Sequence, residues 1–543
     1  MFPVSLRAMS SDVIVIGSGP AGVHAAYPLI QAGKSVCMID GGYEAPPMLY
    51  EPPVGTFDDV RRRERDQYRW FLGEDLSNIP LQGLKGGHGG GMAHGNRAYV
   101  TKGTEEFLPL ALSPNAQIIQ SLAQGGLGAV WGAACAFMPD HELLGMGLDP
   151  VEMRRHYAVI TKRIGVSGPP GHPETDPPLH PDHHAEHFLR AYRKKESRFR
   201  KEHLTVTQPY SAVLTRDKGE RKAHSYDDMD YFADAGRSVY RPQYTLQELR
   251  SFPHFQYADK LLVERISEKD GECEVHTASI RNAERGEKQI FRGKRVVLAA
   301  GTIGTARILL RSFGLFDIPL PLIAKPHAFI ACLHPASFGE AGAARRCSLC
   351  QLLLLDEVRN ATDLENACAQ IYSYKSLQLF RLLGSVPLPA PEALGLLSLL
   401  APSMIVVDVR FPGLRNDAEK TLTLRKKENG DSVHIHLHVS AEEKQERQTA
   451  LKRVKRGLTM LGAYPLRTIQ LPEGSSSHYG GTVPCLATPG TLPLSSDTEG
   501  KLHQGKNLYV ADASVFPALS AKPYTLTIMA NANRIGEHVL RSL

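Results

Sequence analysis

The stretch GSSSHYGGTVP, residues 474 to 484, places a histidine between a run of serines and a pair of glycines. An imidazole has an ordinary pKa of about 6.5, so a useful fraction of His478 is neutral and able to accept a proton at working pH. Taken alone, a histidine in a loop can equally be structural or merely exposed. His478 is therefore a candidate base whose role depends on the elements around it.

A second candidate set lies near the amino terminus, where Gly17, Gly19 and Gly22 stand in GxGxxG spacing. The β-branched run DVIVIG precedes them, small and apolar residues at helical spacing follow, and SVCMID supplies a second strand that ends on Asp40. Such glycines let the backbone and the helix start approach a pyrophosphate, and Asp40 is placed to accept ribose hydroxyls. The pattern predicts dinucleotide binding rather than a purely structural turn.

Three later segments are typical of the same kind of domain. KRVVLAAGTIGTARILLRS predicts a strand, a small-residue turn at Ala300 to Gly304 and a helix. YADKLLVERISEKDGECEVHTASI predicts two strands around a turn at Lys269 to Gly271. NLYVADASVFP predicts a strand that ends on Asp512. A strand that returns so late indicates a nucleotide-binding domain interrupted by long insertions.

Length and composition narrow the class of protein. A chain of 543 residues is longer than a single hydrophobic core usually accommodates, so two or more lobes are expected. Its composition, 42% hydrophobic and 22% charged residues, is typical of a globular protein. The net charge of +6 is scattered without a long basic stripe, so nucleic acid is not an expected partner. Eight dispersed cysteines and the start MFPVSLRAMSSD, which has no secretory signal, favour a reducing, cytoplasmic setting.

Two other features have a plain and a sharper interpretation. The lone CxxC of Cys347 and Cys350 is expected to reflect chance or packing, with redox or zinc chemistry as the alternative. The most apolar region, roughly Leu377 to Val407, is broken by charges and prolines and falls short of a membrane span. Buried helices or a lid over a cavity are expected there, with shallow contact with a membrane as the alternative.

In order along the chain, these motifs resemble the glucose-methanol-choline (GMC) oxidoreductases, FAD enzymes that oxidise alcohol groups. The segments that carry the resemblance are VIVIGSGPAGVHAA, GGLGAVWGAACAFMPDH, DPVEMRRHYAVITKRIGVSG, VVLAAGTIGTARILL, HYGGTVP and NLYVADASVFPALSAKPYTLTIMANANRIGEHV. The resemblance implies an α/β fold, in which a Rossmann-like FAD-binding domain carries an inserted α+β substrate domain built on an antiparallel sheet. It places the FAD-binding domain at 10–140, 236–315 and 471–543, and the substrate domain at 141–235 and 316–470.

The resemblance also implies how the flavin is held. In the family the loop around Trp131 and Gly132 lies beside the isoalloxazine ring, and some relatives attach the flavin through a histidine just before that tryptophan. Here the residue is Val130, so FAD is expected to bind non-covalently. The glycine-rich run 86–91 suits close approach to a flavin. The remaining expected cofactor contacts are Gly17, Gly19, Gly22, Asp40, Ala300, Gly301, Asp512, Ala513 and Thr525.

Alcohol oxidation removes a proton from oxygen and a hydride from carbon, so the resemblance implies His478 as the base while hydride passes to flavin N5. Relatives normally carry a second residue, histidine or asparagine, before the carboxy-terminal helix. SAKPYTLTIMA departs from that pattern and offers Lys522 or Pro523 instead. Lys522 could stabilise a developing alkoxide or the reduced flavin, or it could simply extend into solvent. Pro523 suits the first turn of a helix expected from about Thr525.

The rest of the chain is expected to form the substrate lobe. MIVVDVRF, KTLTLRKK and SVHIHLHVS alternate as half-buried strands should, with ENGDS as a turn between the last two. His434, His436 and His438 share one face of the third strand and are expected at the surface, with cavity lining or metal binding as alternatives. The histidine-rich stretch 180–187 is given the same interpretation; it lies in a proline- and histidine-rich segment, 168–188, that is expected to be a connection over the surface. No metal site is predicted.

The sequence thus predicts an FAD-dependent oxidoreductase acting on the CH–OH group of a sugar, glycoside, polyol or other alcohol. A small-molecule alcohol is the expected substrate, and oxygen or another electron acceptor would reoxidise the flavin. A lipidic or terpenoid alcohol stays open because of the apolar region. Two alternatives are a lyase on the same flavoprotein scaffold and a flavin-binding partner subunit without turnover. No oligomeric state is predicted.

Overall fold

The structure is a computed structural model that describes residues 10–45, 59–60, 63–66, 95–172, 174–227, 234–338, 348–360, 362–373, 388–389, 391–392, 400–428, 430–490 and 492–543. The glycine-rich run 86–91, Cys347 and most of the apolar region 377–407 lie outside the described residues, so the expectations placed on them stay predictions. Cys350 is buried at 2% exposure.

A seven-stranded sheet, here called the nucleotide sheet, joins segments from the whole length of the chain. Its parallel strands stand in the order Phe255–Ala258, Val36–Ile39, Ser11–Ile16, Lys288–Leu298 and Leu508–Val510. Val13 to Ile16 are all buried, as expected for a parallel strand covered on both faces. The sheet confirms the predicted strands of the nucleotide-binding domain, including the one that returns late in the chain.

The predicted hairpin extends this sheet on the amino-terminal half of its longest strand. Leu261–Lys269 and Glu272–Ser279 pair with each other, and the second pairs antiparallel with the first residues of Lys288–Leu298. The turn between them falls at 270–271, where the sequence predicted it.

Three helices pack on the nucleotide sheet or on one another beside it. Pro20–Gln31 follows the first strand with its proline in the first turn, where the missing N–H costs nothing. Thr302–Ser312 follows the long strand, and Thr525–Ser542 packs against Pro20–Gln31. The last helix begins at the predicted residue, and its apolar side is buried, including Leu526, Met529, Ile535 and Val539.

A six-stranded antiparallel sheet, here called the substrate sheet, forms the second lobe. Its strands stand in the order Tyr464–Gln470, His327–Leu333, Met404–Arg410, Glu365–Ser373, Leu352–Arg359 and Leu204–Thr207. Helices His183–Lys201 and Ala441–Leu461 share a core with one face of it. Along Met404–Arg410, Ile405, Val407 and Val409 enter that core and the alternate residues point away from it.

The other two predicted strands of the substrate lobe form a hairpin in a different sheet. Lys420–Lys427 and Gly430–Leu437 pair antiparallel, flanked by Pro319–Pro321 and Leu110–Leu112. All three predicted strands are therefore present, but they belong to two different sheets. The histidine face of this hairpin lies at the surface as expected: His436 and His438 are exposed, and half-buried His434 is 3.1 Å from the Ser432 hydroxyl.

The histidine-rich stretch 180–187 is not a surface connection. The Asp182 carboxylate accepts a hydrogen bond from the Ala185 amide and caps the helix that begins at His183. His184 and Phe188 lie one turn apart on the same side and are both buried. Nδ1 of His184 lies 3.0 Å from Nδ1 of His334. Because this stretch is rich in histidine and proline, the sequence did not indicate that a helix with an apolar inner face begins at His183.

The other described elements are four helices, six 3₁₀ turns and three pairs of two-residue strands. The helices are Thr104–Phe107, Asp140–Gly145, Pro150–Ile164 and Pro242–Leu249, with 3₁₀ turns at Gly95–Thr101, Gly126–Val130, Asn282–Glu284, Pro335–Ser337, Ala401–Ser403 and Ala513–Val515. Two-residue strands pair as Ile323–Ala324 with Tyr479–Gly480, Gly413–Leu414 with Ala518–Leu519, and Ala134–Cys135 with Tyr210–Ser211.

The architecture confirms the predicted fold class, a Rossmann-like α/β domain with an inserted α+β domain on an antiparallel sheet. The proposed residue boundaries of the two domains stay a prediction. Within the described ranges, no helix is both long and apolar enough to pass through a bilayer.

Candidate active site

One cavity of about 760 Å³ connects the two lobes. Part of its wall is the carboxyl edge of the nucleotide sheet, where Gly17, Asp40, Gly301 and Asp512 follow four parallel strands. Another part is the face of the substrate sheet turned away from the helices, and His478 lies in the same wall. The carboxyl edge of a parallel sheet is the usual place for a ligand in such folds.

In the glycine turn at the edge of the cavity, the backbone of Gly17 packs directly against that of Gly22. A Cβ on Gly22 would lie 1.8 Å from the Gly17 oxygen, and Gly17 has φ +100°. Gly19 differs, because the nearest atom to its Cβ would be the Gly125 oxygen at 3.9 Å. Gly17 and Gly22 therefore make the tight turn, while Gly19 leaves bare backbone facing the cavity at the helix start. This cradle fits the pyrophosphate of a dinucleotide.

Asp40 lies at the end of the second parallel strand and lines the cavity. Its carboxylate accepts hydrogen bonds from the Ser18 hydroxyl at 2.6 Å and the Tyr257 hydroxyl at 2.8 Å. Burial raises the pKa of Asp40, while these hydroxyls favour its ionised form. The side chain is thus fixed in place at the cavity wall; its contact with a ribose stays a prediction.

The loop around Trp131 forms another part of the wall. Trp131, Gly132 and Val130 all line the cavity. The Trp131 indole donates to the Tyr240 carbonyl at 2.7 Å, and Arg241 donates to the Trp131 carbonyl at 3.1 Å. Both bonds hold the loop in one orientation.

The turn after the long strand and the carboxy-terminal segment complete the nucleotide side. Ala300 and Gly301 line the cavity, as do Ala513 and Thr525. The Asp512 carboxylate is buried and accepts from the Thr305 hydroxyl at 2.6 Å and the Ser514 amide at 2.9 Å. The structure therefore brings the predicted cofactor residues to one cavity, except Gly22, which packs against Gly17 behind the wall.

His478 sits on a backbone segment that is tied down on both sides. The Lys325 amide donates to the His478 carbonyl at 2.9 Å, and the Ser476 hydroxyl donates to the Lys325 carbonyl at 2.6 Å. Tyr479 follows in a two-residue strand that pairs with Ile323–Ala324. The ring of His478 lies 5.4 Å from the ring of Tyr524, which precedes the last helix.

Arg410 is the neighbour of His478 that the sequence did not indicate. Its Nη1 lies 2.7 Å from Nδ1 of His478, and the Ser476 carbonyl lies 2.5 Å from the same nitrogen. Burial, followed by the positive charges of Arg410 and Lys325, holds the pKa of His478 well below its usual range. His478 is therefore neutral at ordinary pH, the state in which an imidazole can accept a proton.

A sequence signal for Arg410 existed. In MIVVDVRF the charged residues Asp408 and Arg410 occupy alternate positions of an otherwise β-branched strand, and therefore share a face. That face lines the cavity, together with Val406. When one side of a strand is apolar and the other carries charged residues, the charged side is expected to face either solvent or a polar cavity.

Lys522 points away from this cavity into a buried ion cluster. It is 6% exposed, and its Nζ lies 2.5 Å from Glu365 and 3.2 Å from Glu142. The interpretation that Lys522 extends into solvent is wrong, because its ammonium is buried. Its role beside the flavin stays a prediction, although Lys522 is not among the residues that line the cavity. Pro523 and Tyr524 line the cavity instead.

Among the described residues, one group of side chains is spaced closely enough to hold a metal ion, and it includes the same two glutamates. Ligand atoms of His141, Glu142 and Glu365 all lie within 4.8 Å of one another. Lys522 already supplies a positive charge to both glutamates. The ion pairs account for this cluster without a metal.

Comparison with known proteins agrees with this geometry. A GMC oxidoreductase family model matches residues 421–532, and an FAD binding domain model matches residues 12–46. The structure of pyridoxine 4-oxidase from Mesorbium loti aligns over 97% of this chain and 99% of that chain, with TM-score 0.57 and 14% identity, a likeness of fold. A search of curated proteins found no match. The chain therefore carries a GMC oxidoreductase domain at 421–532 and an FAD-binding domain at 12–46, on a fold similar to that of pyridoxine 4-oxidase.

Proposed function

We propose that this flavoprotein oxidises the CH–OH group of a small-molecule alcohol to a carbonyl, with His478 taking the hydroxyl proton. The observation that carries the proposal is that neutral His478 and the glycine turn around Gly19 line one continuous cavity. A base and a dinucleotide cradle in the same space are what removal of a proton and a hydride from one alcohol requires.

The protein groups have distinct tasks in this proposal. Bound FAD supplies the hydride acceptor. Gly19 and Asp40 would hold its pyrophosphate and ribose, and the Trp131 loop would lie beside the flavin ring. Nδ1 of His478 faces both the Ser476 carbonyl, which can only accept, and Arg410, which can only donate. In the proposed reaction the hydrogen lies on Nδ1 and is donated to Ser476, so that Nε2 accepts the substrate proton.

The proposed substrate class is supported by the family resemblance and by the mixed character of the cavity wall on the substrate sheet. Phe329 and Tyr372 contribute aromatic side chains there, and Gln370 and Arg410 contribute hydrogen-bonding groups. A sugar, glycoside or polyol, with apolar ring faces and many hydroxyls, suits such a mixed wall. Oxygen or another acceptor would reoxidise the flavin, and a cytoplasmic location belongs to the same proposal.

Anaerobic reduction of the flavin tests the proposal. The purified holoenzyme is mixed with a panel of sugars, glycosides, polyols, terpenoid alcohols and pyridoxine, and the flavin absorbance is followed. We expect bleaching with at least one alcohol, reduced by about 10²–10⁴-fold in His478→Ala. His436→Ala, at an exposed position, is the matched control and should bleach as wild type does.

Bleaching that survives unchanged in His478→Ala contradicts the proposed base. Absence of bleaching with the whole panel favours the alternatives instead. A lyase would then cleave a cyanohydrin without a change in flavin absorbance, and a partner subunit without turnover would do neither.

A further inference from the structure

The carboxy-terminal segment offers no histidine or asparagine to assist His478, since Pro523 faces the cavity and Lys522 is bound to two glutamates. The side chain that does reach His478 comes from the substrate sheet. Arg410 Nη1 lies 2.7 Å from Nδ1 and 3.4 Å from Nε2 of the imidazole. A fixed cation thus lies against both ring nitrogens of the proposed base.

We infer that Arg410 is a positioning residue whose fixed positive charge, held against the imidazole, keeps His478 in the neutral form. This inference rests on the proposed function for the reaction itself. The effect of the Arg410 charge on the His478 pKa is independent of the reaction, because it can be measured without a substrate.

The orientation of Arg410 is fixed by a chain of hydrogen bonds across the substrate sheet. Its Nε and Nη2 donate to Oδ2 of Asp408 at 2.9 and 2.7 Å. Oδ1 of Asp408 accepts from Nδ1 of His327 at 3.0 Å, and Nε2 of His327 lies 3.0 Å from the Ser475 hydroxyl. The two-pronged contact with Asp408 leaves Nη1 as the guanidinium nitrogen turned to His478.

Two neighbours compete for Nδ1 of His478: the Ser476 carbonyl, 2.5 Å away, can only accept a hydrogen bond, and Arg410 Nη1, 2.7 Å away, can only donate one. With the hydrogen on Nδ1 the bond goes to Ser476, Nε2 can accept the substrate proton, and Arg410 acts on the ring through its charge alone. Arg410 cannot lose its proton in a protein and therefore cannot accept one from the imidazole. When His478 takes a proton from an alcohol, two cations face each other, which favours prompt release of that proton.

The other charged and titratable groups around His478 do not replace Arg410. Lys325 is buried, its Nζ donates to the Lys522 carbonyl at 2.7 Å, and burial followed by the charge of Arg410 lowers its pKa well below the usual range. Tyr524 approaches from the last helix, and burial raises its pKa, so it is neutral. Asp408 lies behind the guanidinium, and its charge partly offsets that of Arg410. Arg410 is thus the fixed cation next to the base.

Titration of His478 in the holoenzyme tests the inference. Histidine labelled with ¹³C at Cε1 gives one NMR signal per ring, and the signal lost in His478→Asn assigns His478. In Arg410→Met the His478 titration should move to higher pH by about 1–3 units, because an adjacent positive charge is removed. Arg410→Lys should keep it near the wild-type value, and Arg425→Met, at an exposed position, should not move it.

A second variant, expected to shift the His478 titration in the opposite direction, keeps the test decisive if Arg410→Met does not fold. Asp408→Asn removes the negative charge behind Arg410, so His478 should titrate at lower pH than in wild type. A merely structural role for Arg410 predicts no shift in either variant, and an unchanged His478 titration overturns the inference.

The pH dependence of alcohol-driven flavin reduction gives the second measurement. The acid limb of kcat/KM should move with the His478 titration, upward in Arg410→Met, with most activity recovered at high pH. If His478→Ala leaves reduction intact, the proposed function fails and the NMR titration still decides the role of Arg410. If His478→Ala abolishes reduction but Arg410→Met leaves the limb in place, the inference alone fails.

Discussion

Lys522 forms a buried ion pair with Glu365, with Nζ 2.5 Å from Oε1. Although burial opposes its charge, the neighbouring Glu142 and Glu365 raise the pKa of Lys522, and burial raises the pKa of Glu365. The two chain segments that meet here are Glu365–Ser373 of the substrate sheet and the turn before the last helix. The pair therefore connects the two lobes at a point just behind the cavity wall.

Replacement of Lys522 by methionine should destabilise the protein rather than abolish its chemistry. The change leaves two buried carboxylates without a counter-charge, which costs about 3–5 kcal/mol in the free energy of unfolding. Urea denaturation would measure this loss, and the double variant Lys522→Met/Glu365→Gln should regain part of it. Lys444→Met, at an exposed position, is the matched control. A stable Lys522→Met protein whose flavin no longer accepts electrons would instead restore Lys522 as a site residue.

The two glycines of the helix start should respond differently to alanine. In Gly22→Ala the new Cβ meets the Gly17 oxygen at 1.8 Å, so the turn cannot close and folded, yellow protein should be lost. In Gly19→Ala the nearest atom is 3.9 Å away, so the apoprotein should melt as wild type does. FAD binding by Gly19→Ala should nevertheless weaken by about tenfold or more, measured by fluorescence quenching. Full FAD affinity in this variant would show that the pyrophosphate lies elsewhere.

Denaturation should release the whole flavin. Val130 stands where some relatives carry the histidine that bonds to the cofactor, and a valine side chain has no nucleophilic atom. After acid precipitation all yellow colour should stay in the supernatant, with FAD identified by its mass. A protein with a covalent flavin, treated in parallel, controls for incomplete extraction. Flavin that remains on a peptide would contradict non-covalent binding.

The buried histidines should make the protein sensitive to acid. Burial and nearby histidines lower the pKa of His334 to about 4, below the value of about 6.5 expected in the unfolded chain. The unfolded state then binds more protons, so stability that is complete above pH 6.5 is lost as the pH falls towards 4. In His334→Asn the difference in unfolding free energy between pH 7 and pH 5 should shrink by roughly 1 kcal/mol, after allowance for screening. Urea midpoints at the two pH values measure it, and an equal pH dependence in the variant would contradict the assignment.

The sequence was most informative where local pattern and burial coincide. Val13 to Ile16 form a continuous apolar run because both faces of a parallel strand are covered, and the turn at Lys269 to Gly271 is set by local residues. The motif around His478 could be placed because it carries the family pattern.

Contacts between distant segments were beyond such reasoning. Glu142, which binds Lys522, lies 380 residues earlier in the chain, and no local feature connects the two. Arg410 reaches His478 across 68 residues and a change of sheet. His184 was misjudged because its polar neighbours conceal that it shares an inner helix face with Phe188.

The order of strands in the nucleotide sheet bears on how the protein is made. Ser11–Ile16 pairs with Lys288–Leu298, which in turn pairs with Leu508–Val510. At synthesis rates of about 5–20 residues per second, the first strand emerges from the ribosome roughly 25–100 s before the last one can join it. During translation the nascent chain therefore exposes apolar strands with unpaired edges. Such surfaces are prone to aggregation, so we expect chaperones to bind the nascent chain. The part of the cavity wall from Asp512 to Ile528 is therefore the last to be synthesised.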